Sequence, residues 1–518
     1  MSCDEAEAPT ASDAPAASAG ATGRAGAGLA GQAGATGGGG PAGGAAGADG
    51  CTPPACAGGA AGAGGAGAGA GGAAGGGAGG AGAGGFEEGE DRPGGDVTVD
   101  RHDELAFSQP APALSLEQRG LFQTGKAIFE VPWVAAPGPL PDRDGLGPLF
   151  NATSCVACHA RNGRGEPPAP GEPALALLLR LSVPLAGGGA GPEPTYGDQV
   201  QTAATSGVPA EGRVTLAYDE LPGAFGDGET FSLRRPRFFI ENTNYGPLPP
   251  DLLTSPRLAQ PLVGLGLLAA IDEAAIALAA DPDDADGDGA SGRVNRVPAG
   301  ASAAATGRFG WKANQPDLGA QNAGALAGDM GLTTPELPSP TCTAAQTACL
   351  AAPQGGSPEI GPTVLAALNF YTATLAVPSR PGARDPDVLA GKAVFHGLGC
   401  AACHRPSWTT GASPGLPELA GQRIWPYSDL LLHDLGEGLA DGRPDHEASG
   451  REWRTPPLWG IGLTALVSGG AAFLHDGRAR SIAEAVLWHG GEAEASREAF
   501  RAASADDRRL LVRFVESL

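Results

Sequence analysis

The sequence predicts a mainly α protein in two similar halves, preceded by a long segment too simple in composition to build a core. Three observations carry that expectation. The pentapeptide Cys155-Val156-Ala157-Cys158-His159 returns as Cys400-Ala401-Ala402-Cys403-His404. Ahead of each lies a near-identical stretch, Gly125-Lys126-Ala127-Ile128-Phe129 and Gly391-Lys392-Ala393-Val394-Phe395. Leu- and Ala-rich runs at helical spacing outnumber strand signals, and Pro and Gly punctuate long loops.

The simple segment comes first. From about residue 11 to 95 the chain is almost wholly Gly, Ala, Ser and Pro, with no apolar period to bury. Such a composition predicts a disordered, flexible tether over residues 1–99. It leaves 100–380 and 381–518 as the two folded domains. A formal charge of −24 over 518 residues argues against nucleic acid and anionic membrane surfaces and allows a basic redox partner, plain solubility being the alternative. No apolar run reaches 18 residues, so no membrane span is expected. The start, Met1-Ser2-Cys3-Asp4-Glu5, has neither a charged n-region nor an apolar h-region. A lone Cys3 at the head of a long tether is the arrangement of a mature bacterial lipoprotein. The expectation is an acylated Cys3, a true start upstream, and a location in the periplasm or cell envelope.

The folded region opens on Ser115-Leu116-Glu117-Gln118, a capping box, and its helix runs through Phe122 to Phe129. An insertion, Glu130 to Asn151, separates that helix from the first Cys-x-x-Cys-His. Pro358 to Leu375 sets Val364, Leu365, Leu368, Tyr371 and Leu375 near one helical face. A second capping box, Ser481-Ile482-Ala483-Glu484, begins a helix that Gly490-Gly491 stops. On it Ile482, Val486 and His489 share a face at i, i+4 and i+7. The last helix, Ser504 to Leu518, carries Leu510, Leu511, Phe514, Val515 and Leu518. A further echo supports duplication: Arg234-Arg235-Pro236 then Gly264-Leu265-Gly266-Leu267, against Arg454-Thr455-Pro456 then Gly460-Ile461-Gly462-Leu463.

Cys-x-x-Cys-His is the attachment site of a c-type haem. The thiols form thioethers to the vinyl groups and the adjacent imidazole reaches the iron. Two such motifs in a chain with nine Cys and eight His predict two covalently bound haem c groups. Their ligating residues are Cys155, Cys158, His159, Cys400, Cys403 and His404. Cys342 with Cys349, and Cys51 with Cys56, are then expected as two small disulfide loops. A helix with a Gly and an aromatic before the haem motif makes both halves resemble cytochrome c units. Met330 is the only methionine besides Met1, so any thioether ligand must be Met330. Asp284-Ala285-Asp286-Gly287-Asp288-Gly289 places carboxylates at positions 1, 3 and 5 and Gly at 6 of an EF-hand-like loop, which points to calcium. Asn295 stands where that loop needs a bidentate Glu, and an acidic solvated turn is the plainer alternative.

Phe473-Leu474-His475-Asp476-Gly477-Arg478, followed by the Ser-x-x-Glu helix, resembles the C-terminal signature of bacterial di-haem cytochrome c peroxidases. It also resembles their relatives, including the di-haem enzyme of methylamine dehydrogenase maturation. A closer similarity is to the di-haem oxidoreductase family, also labelled thiol oxidoreductases. It is carried by Pro426-Tyr427-Ser428-Asp429-Leu430-Leu431-Leu432-His433-Asp434, by Glu452-Trp453-Arg454-Thr455-Pro456-Pro457-Leu458-Trp459-Gly460 and by Leu487-Trp488-His489-Gly490-Gly491-Glu492. The similarity spans about Leu114 to Leu518 and departs at Leu435, where that family often has Met.

The resemblance implies that His489 is the distal ligand of the second haem, making it bis-His with His404. His475 competes for that place or serves a propionate or the turn, and His433 is a weaker candidate for the same roles. Phe309-Gly310-Trp311, Gln321 and Asp329-Met330-Gly331 resemble a peroxidase segment holding a Trp, a Gln and a Glu-Met-Gly. Carried over, Trp311 is the inter-haem relay and Asp329 the acid/base, one methylene shorter than Glu. The implied function is transfer of electrons from a small cytochrome or cupredoxin through the C-terminal haem to the N-terminal haem, which reduces hydrogen peroxide. Ligation by Met330 would instead close the first haem. A non-enzymatic electron carrier and an oxygenase acting on an organic substrate remain as alternatives. The thiol label finds least support, since no cysteine outside the haem motifs has a catalytic setting.

Overall fold

The capping boxes form as the sequence requires. In the computed structural model Ser115 Oγ accepts from Gln118 N at 3.2 Å while Gln118 Oε1 accepts from Ser115 N at 2.8 Å, opening the helix Leu116–Glu130. Asp385 caps Pro386–Gly397, whose Pro at the first position needs no N–H partner, and Ser504 caps Ala505–Glu516. Each early helix crosses a later one. A Cβ at Gly125 would overlap the carbonyl oxygen of Ala367 in Pro362–Ala373, and one at Gly391 would overlap that of Leu510 in Ala505–Glu516. The repeated Gly is therefore the contact point of a helix pair, present once in each half. Gly391→Ala is expected to cost about 1–3 kcal/mol through overpacking, seen as a lower midpoint in denaturant with an unchanged slope.

The second echo is equally structural. Gly264 and Gly460 both have φ of +70°, which only Gly takes without strain. Their N–H groups donate to Leu375 O at 3.1 Å and Leu518 O at 2.8 Å, each two residues beyond its half's closing helix. Arg234 and Arg454 are not counterparts, however. Arg234 lies on a long hairpin and donates to Gly477 O and Arg478 O, whereas Arg454 ends the strand Glu452–Arg454.

The structure describes residues 84–518 apart from 142, 188, 301 and 302, and these fall in one compact unit. Cys3, Cys51, Cys56 and the tether up to residue 83 lie outside the described residues. Residues 84–99, assigned to the tether on composition, belong to the fold. Thr98–Val99 pairs in parallel with Val377–Pro378, and Lys392 Nζ bonds Glu90 Oε2 at 2.8 Å.

The expectation of a mainly α fold is corrected. Helices make up 30% and strands 19% of the described residues, the strands spread over small sheets. The largest pairing is the antiparallel hairpin Arg213–Ala224 with Thr230–Glu241, turning at Gly226-Asp227-Gly228. Pro222 and Pro236 inside it read as strand breakers. In a two-stranded sheet both strands are edges, and a proline there need cost no ladder bond. The hairpin tip meets the second half: Gly226 N donates to Arg501 O at 2.8 Å, and Arg508 pairs with Asp227 and Glu229. A three-stranded sheet centres on Leu177–Pro184, whose Leu177, Leu179 and Leu181 face a third core with Tyr196, Val200 and Val214. Two larger cores are centred one on each half, though the first also takes in Trp408, Leu431 and Trp459. One holds Phe122, Phe129, Leu368 and Tyr371, the other Phe395, Tyr427, Leu511 and Phe514.

Candidate functional site

Each Cys-x-x-Cys is a short 3-10 turn, Cys155–Ala157 and Cys400–Ala402, set directly after its Gly-containing helix or the loop that follows it. The turn brings the histidine back beneath that helix. The ring of Phe129 lies 6.2 Å from His159 and that of Phe395 6.2 Å from His404, so the repeated aromatic serves the same place twice. All six motif residues line one cavity of about 890 Å³, within the roughly 300–1,000 Å³ usual for ligand and cofactor sites. Trp311, Gln321, Asp329, Met330, His433, His475 and His489 line the same cavity.

Three imidazoles are prepared in one manner. His159 Nδ1 donates to Gln260 O at 2.8 Å, His404 Nδ1 to Tyr427 O at 3.0 Å and His489 Nδ1 to Ala485 O at 2.7 Å. A carbonyl only accepts, so Nδ1 carries the proton and Nε2 keeps its lone pair, the tautomer a metal ligand needs. Burial lowers the pKa of all three and takes His404 to about 4, which keeps the rings neutral. His489 follows Ile482–Trp488, capped by Ser481 as expected, and acts electrostatically on His404. This donor set fits haem iron at both motifs, with a second imidazole at the C-terminal one.

His433 and His475, also in the cavity wall, are differently placed. His433 is held at both nitrogens, by Asp429 Oδ2 at 2.8 Å and Glu492 Oε2 at 2.7 Å, with Cys403 Sγ at 3.4 Å. Burial alone would lower its pKa, yet these hydrogen bonds hold it well above the ordinary value. An imidazolium bonded on both sides has no lone pair for iron. His475 stacks on Trp453 with centroids 3.8 Å apart and planes 13° from parallel. Burial pushes its pKa down to about 3, so it is neutral there.

Near the first motif, Asp329 sits in the last turn of Leu318–Met330. Its Oδ1 accepts from Gln199 Nε2 at 2.9 Å. Enclosure by protein raises its pKa, against the pull of Gln199 and Arg180. Gln321, on the same helix, has a buried Oε1 with no partner, an acceptor open to whatever fills the cavity. Met330 is 2% exposed and packs in the first core. Trp311 is fixed by its indole N–H, which donates to Leu258 O at 2.8 Å, and the Arg164 guanidinium lies 5.1 Å from its ring centroid.

Burial raises the pKa of Cys155, Cys158 and Cys400 to about 12. Reactive redox thiols have depressed values, so these thiols are not built for dithiol chemistry. Cys342 and Cys349 are disulfide-bonded, as expected. Asp284, Asp286 and Asp288 bring carboxylate oxygens within 4.8 Å of one another. Asn295 does not complete a loop around them. It is buried and bonds Lys312 O, Asp445 O and Glu447 N.

Sequence reasoning missed Gln199, Gln260 and Arg164. Amides and arginines carry no local signature; Arg164 and Gln260 line the cavity, and Gln199 reaches it only through Asp329.

No helix among the described residues is long and apolar enough to cross a membrane. A comparison with curated proteins returns no match. The family described as "Di-haem oxidoreductase, putative peroxidase" matches residues 89–180 and 199–518. The paired motifs, the shared cavity and the three metal-ready imidazoles agree with that match, and the chain belongs to the di-haem oxidoreductase family.

Proposed function

We propose that this chain is a di-haem c-type peroxidase of the bacterial periplasm or cell envelope, lipid-anchored through Cys3. In this reading electrons from a small cytochrome or cupredoxin enter at the C-terminal site, His404 with His489, and pass by way of Trp311 to the N-terminal site at His159, where hydrogen peroxide is reduced. The observation that carries it is the asymmetry of the two sites. The C-terminal motif faces a second neutral imidazole, His489, whereas the N-terminal motif faces a carboxyl, Asp329, with a raised pKa.

Bound haem would supply one-electron storage at one centre and reduction of a small oxidant at the other. The protein supplies the rest. The carboxyl of Asp329, its pKa raised toward the working range, can take a proton from the oxidant and return one to the departing oxygen. Gln199 holds that carboxyl in place through Oδ1, and the unpartnered Oε1 of Gln321 offers an acceptor to a peroxide O–H. Trp311, fixed by Leu258 O, keeps an aromatic ring in the cavity wall shared by both motifs. Calcium in the Asp284, Asp286 and Asp288 loop is proposed as a structural ion only, given the lack of a bidentate ligand from Asn295.

The test is an optical and EPR titration of the half-reduced holoprotein with hydrogen peroxide, on wild type and His489→Ala. The expected wild type shows one low-spin centre and one high-spin centre that reacts with peroxide, and the variant shows two high-spin centres. Two unresponsive low-spin centres in the wild type would leave an electron carrier with Met330 closing the first site.

A further inference from the structure

Most buried arginines of this chain have a carboxylate. Arg257 and Arg443 share Asp445, and Arg478 holds Asp476. Two in the cavity wall, buried Arg454 and half-buried Arg164, do not. Arg454 is 4% exposed and spends its guanidinium on neutral acceptors: Gly310 O at 3.0 Å, Thr455 O at 3.0 Å and Gln260 Oε1 at 2.8 Å. Arg164 donates to Leu474 O, and its buried Nε has no partner. Among the described residues neither has a carboxylate within 4.0 Å. The carboxylates close enough to act on them are committed elsewhere, Asp476 to Arg478 and Asp429 to His433. Arg308, a third arginine of the wall, is accounted for by the carbonyls ending the helix Leu265–Ala269.

The two unpaired guanidiniums flank one residue. Arg164 lies over the ring of Trp311, and Arg454 bonds the segment's backbone twice, its N–H to Trp311 O at 2.9 Å and its Nε to Gly310 O. A guanidinium stays charged at any working pH, and a buried charge without a counter-charge is unfavourable. In a chain of formal charge −24, two uncompensated cations facing an interior cavity ask for an anion from outside the polypeptide. The planar fork of Arg matches the two oxygens of a carboxylate.

We propose that Arg164 and Arg454 form a carboxylate-binding site on either side of Trp311 that takes the propionate side chains of bound haem. The inference rests on haem filling the cavity and holds for covalent or non-covalent attachment alike. Arg454 also reaches Gln260, whose backbone carbonyl orients His159, so the same residue ties the propionate site to the first imidazole.

The experiment is a spectroelectrochemical titration of holoprotein in carboxylate- and phosphate-free buffer, comparing wild type with Arg164→Gln, Arg454→Gln and Arg454→Lys. Haem content is counted by mass in each. Losing a positive charge beside the propionates should favour the oxidised state about tenfold at the nearer haem, a fall of about 59 mV, with Arg454→Lys restoring most of it. Unchanged potentials in both Gln variants at full haem content overturn the site while leaving the haem reading intact. A wild type that carries no haem overturns both. If the variants fail to load, the wild type decides by resonance Raman: propionate-bending bands that shift in D2O support the N–H donors, and unshifted bands overturn them.

Discussion

Replacing Cys400 and Cys403 together by Ser is expected to remove the mass of one haem from the denatured chain, and replacing Cys155 and Cys158 the mass of the other. The quadruple variant should carry none. Intact-mass spectrometry under denaturing conditions reads this directly, because thioethers survive unfolding whereas coordination by His159 and His404 does not. The expectation rests on the two turns presenting both thiols and the following imidazole to one cavity. The alternative use of such a pair, dithiol exchange, needs a stabilised thiolate, and burial instead pushes these thiols up to about 12. A native chain of bare polypeptide mass would sink the covalent reading and leave only non-covalent haem.

Asp329→Asn is expected to lower peroxide turnover by about 10²–10⁴-fold, with Asp329→Glu regaining part of it. Stopped-flow rates across pH separate the chemical role from a structural one. Because enclosure raises this carboxyl's pKa in the folded protein, the protonated form is favoured on folding. That contribution to stability is fully present below the unfolded carboxylate range and is lost as pH rises through the folded pKa. The Asn variant, neutral throughout, should therefore be less active yet show a flatter fall of stability between the unfolded carboxylate range and the folded pKa. A variant with unchanged turnover would show that the proton is moved by another group.

The repeated elements were legible because duplication writes the same constraint twice. Gly125 and Gly391 had to be Gly where a helix crosses a carbonyl, and Phe129 and Phe395 had to be aromatic beside His159 and His404. His489 was legible as a cavity residue from resemblance, but it lies one residue past its helix with extended backbone rather than on the last turn. The strands were not. The hairpin Arg213–Ala224 with Thr230–Glu241 carried a signal, Gly226-Asp227-Gly228 between alternating apolar residues, but Pro222 and Pro236 spoke against it. The shorter strands, some of two residues, hold through long-range partners such as Val377–Pro378 and have no pattern of their own. Residues 84–99 read as tether by composition, yet the buried Lys392 and the pairing of Thr98–Val99 draw them into the fold.

The sequence by itself determined the two Cys-x-x-Cys-His motifs, the repeated pentapeptides ahead of them, the capped helices and the family, because each is written in contiguous residues with fixed spacing. Only the tertiary structure decided which nitrogen each imidazole keeps free, that His433 is locked between Asp429 and Glu492, and that Arg164 and Arg454 lack a counter-charge. Those are properties of partners brought together from distant segments. A protonation state or an unpaired charge depends on what surrounds a group, which folding alone supplies.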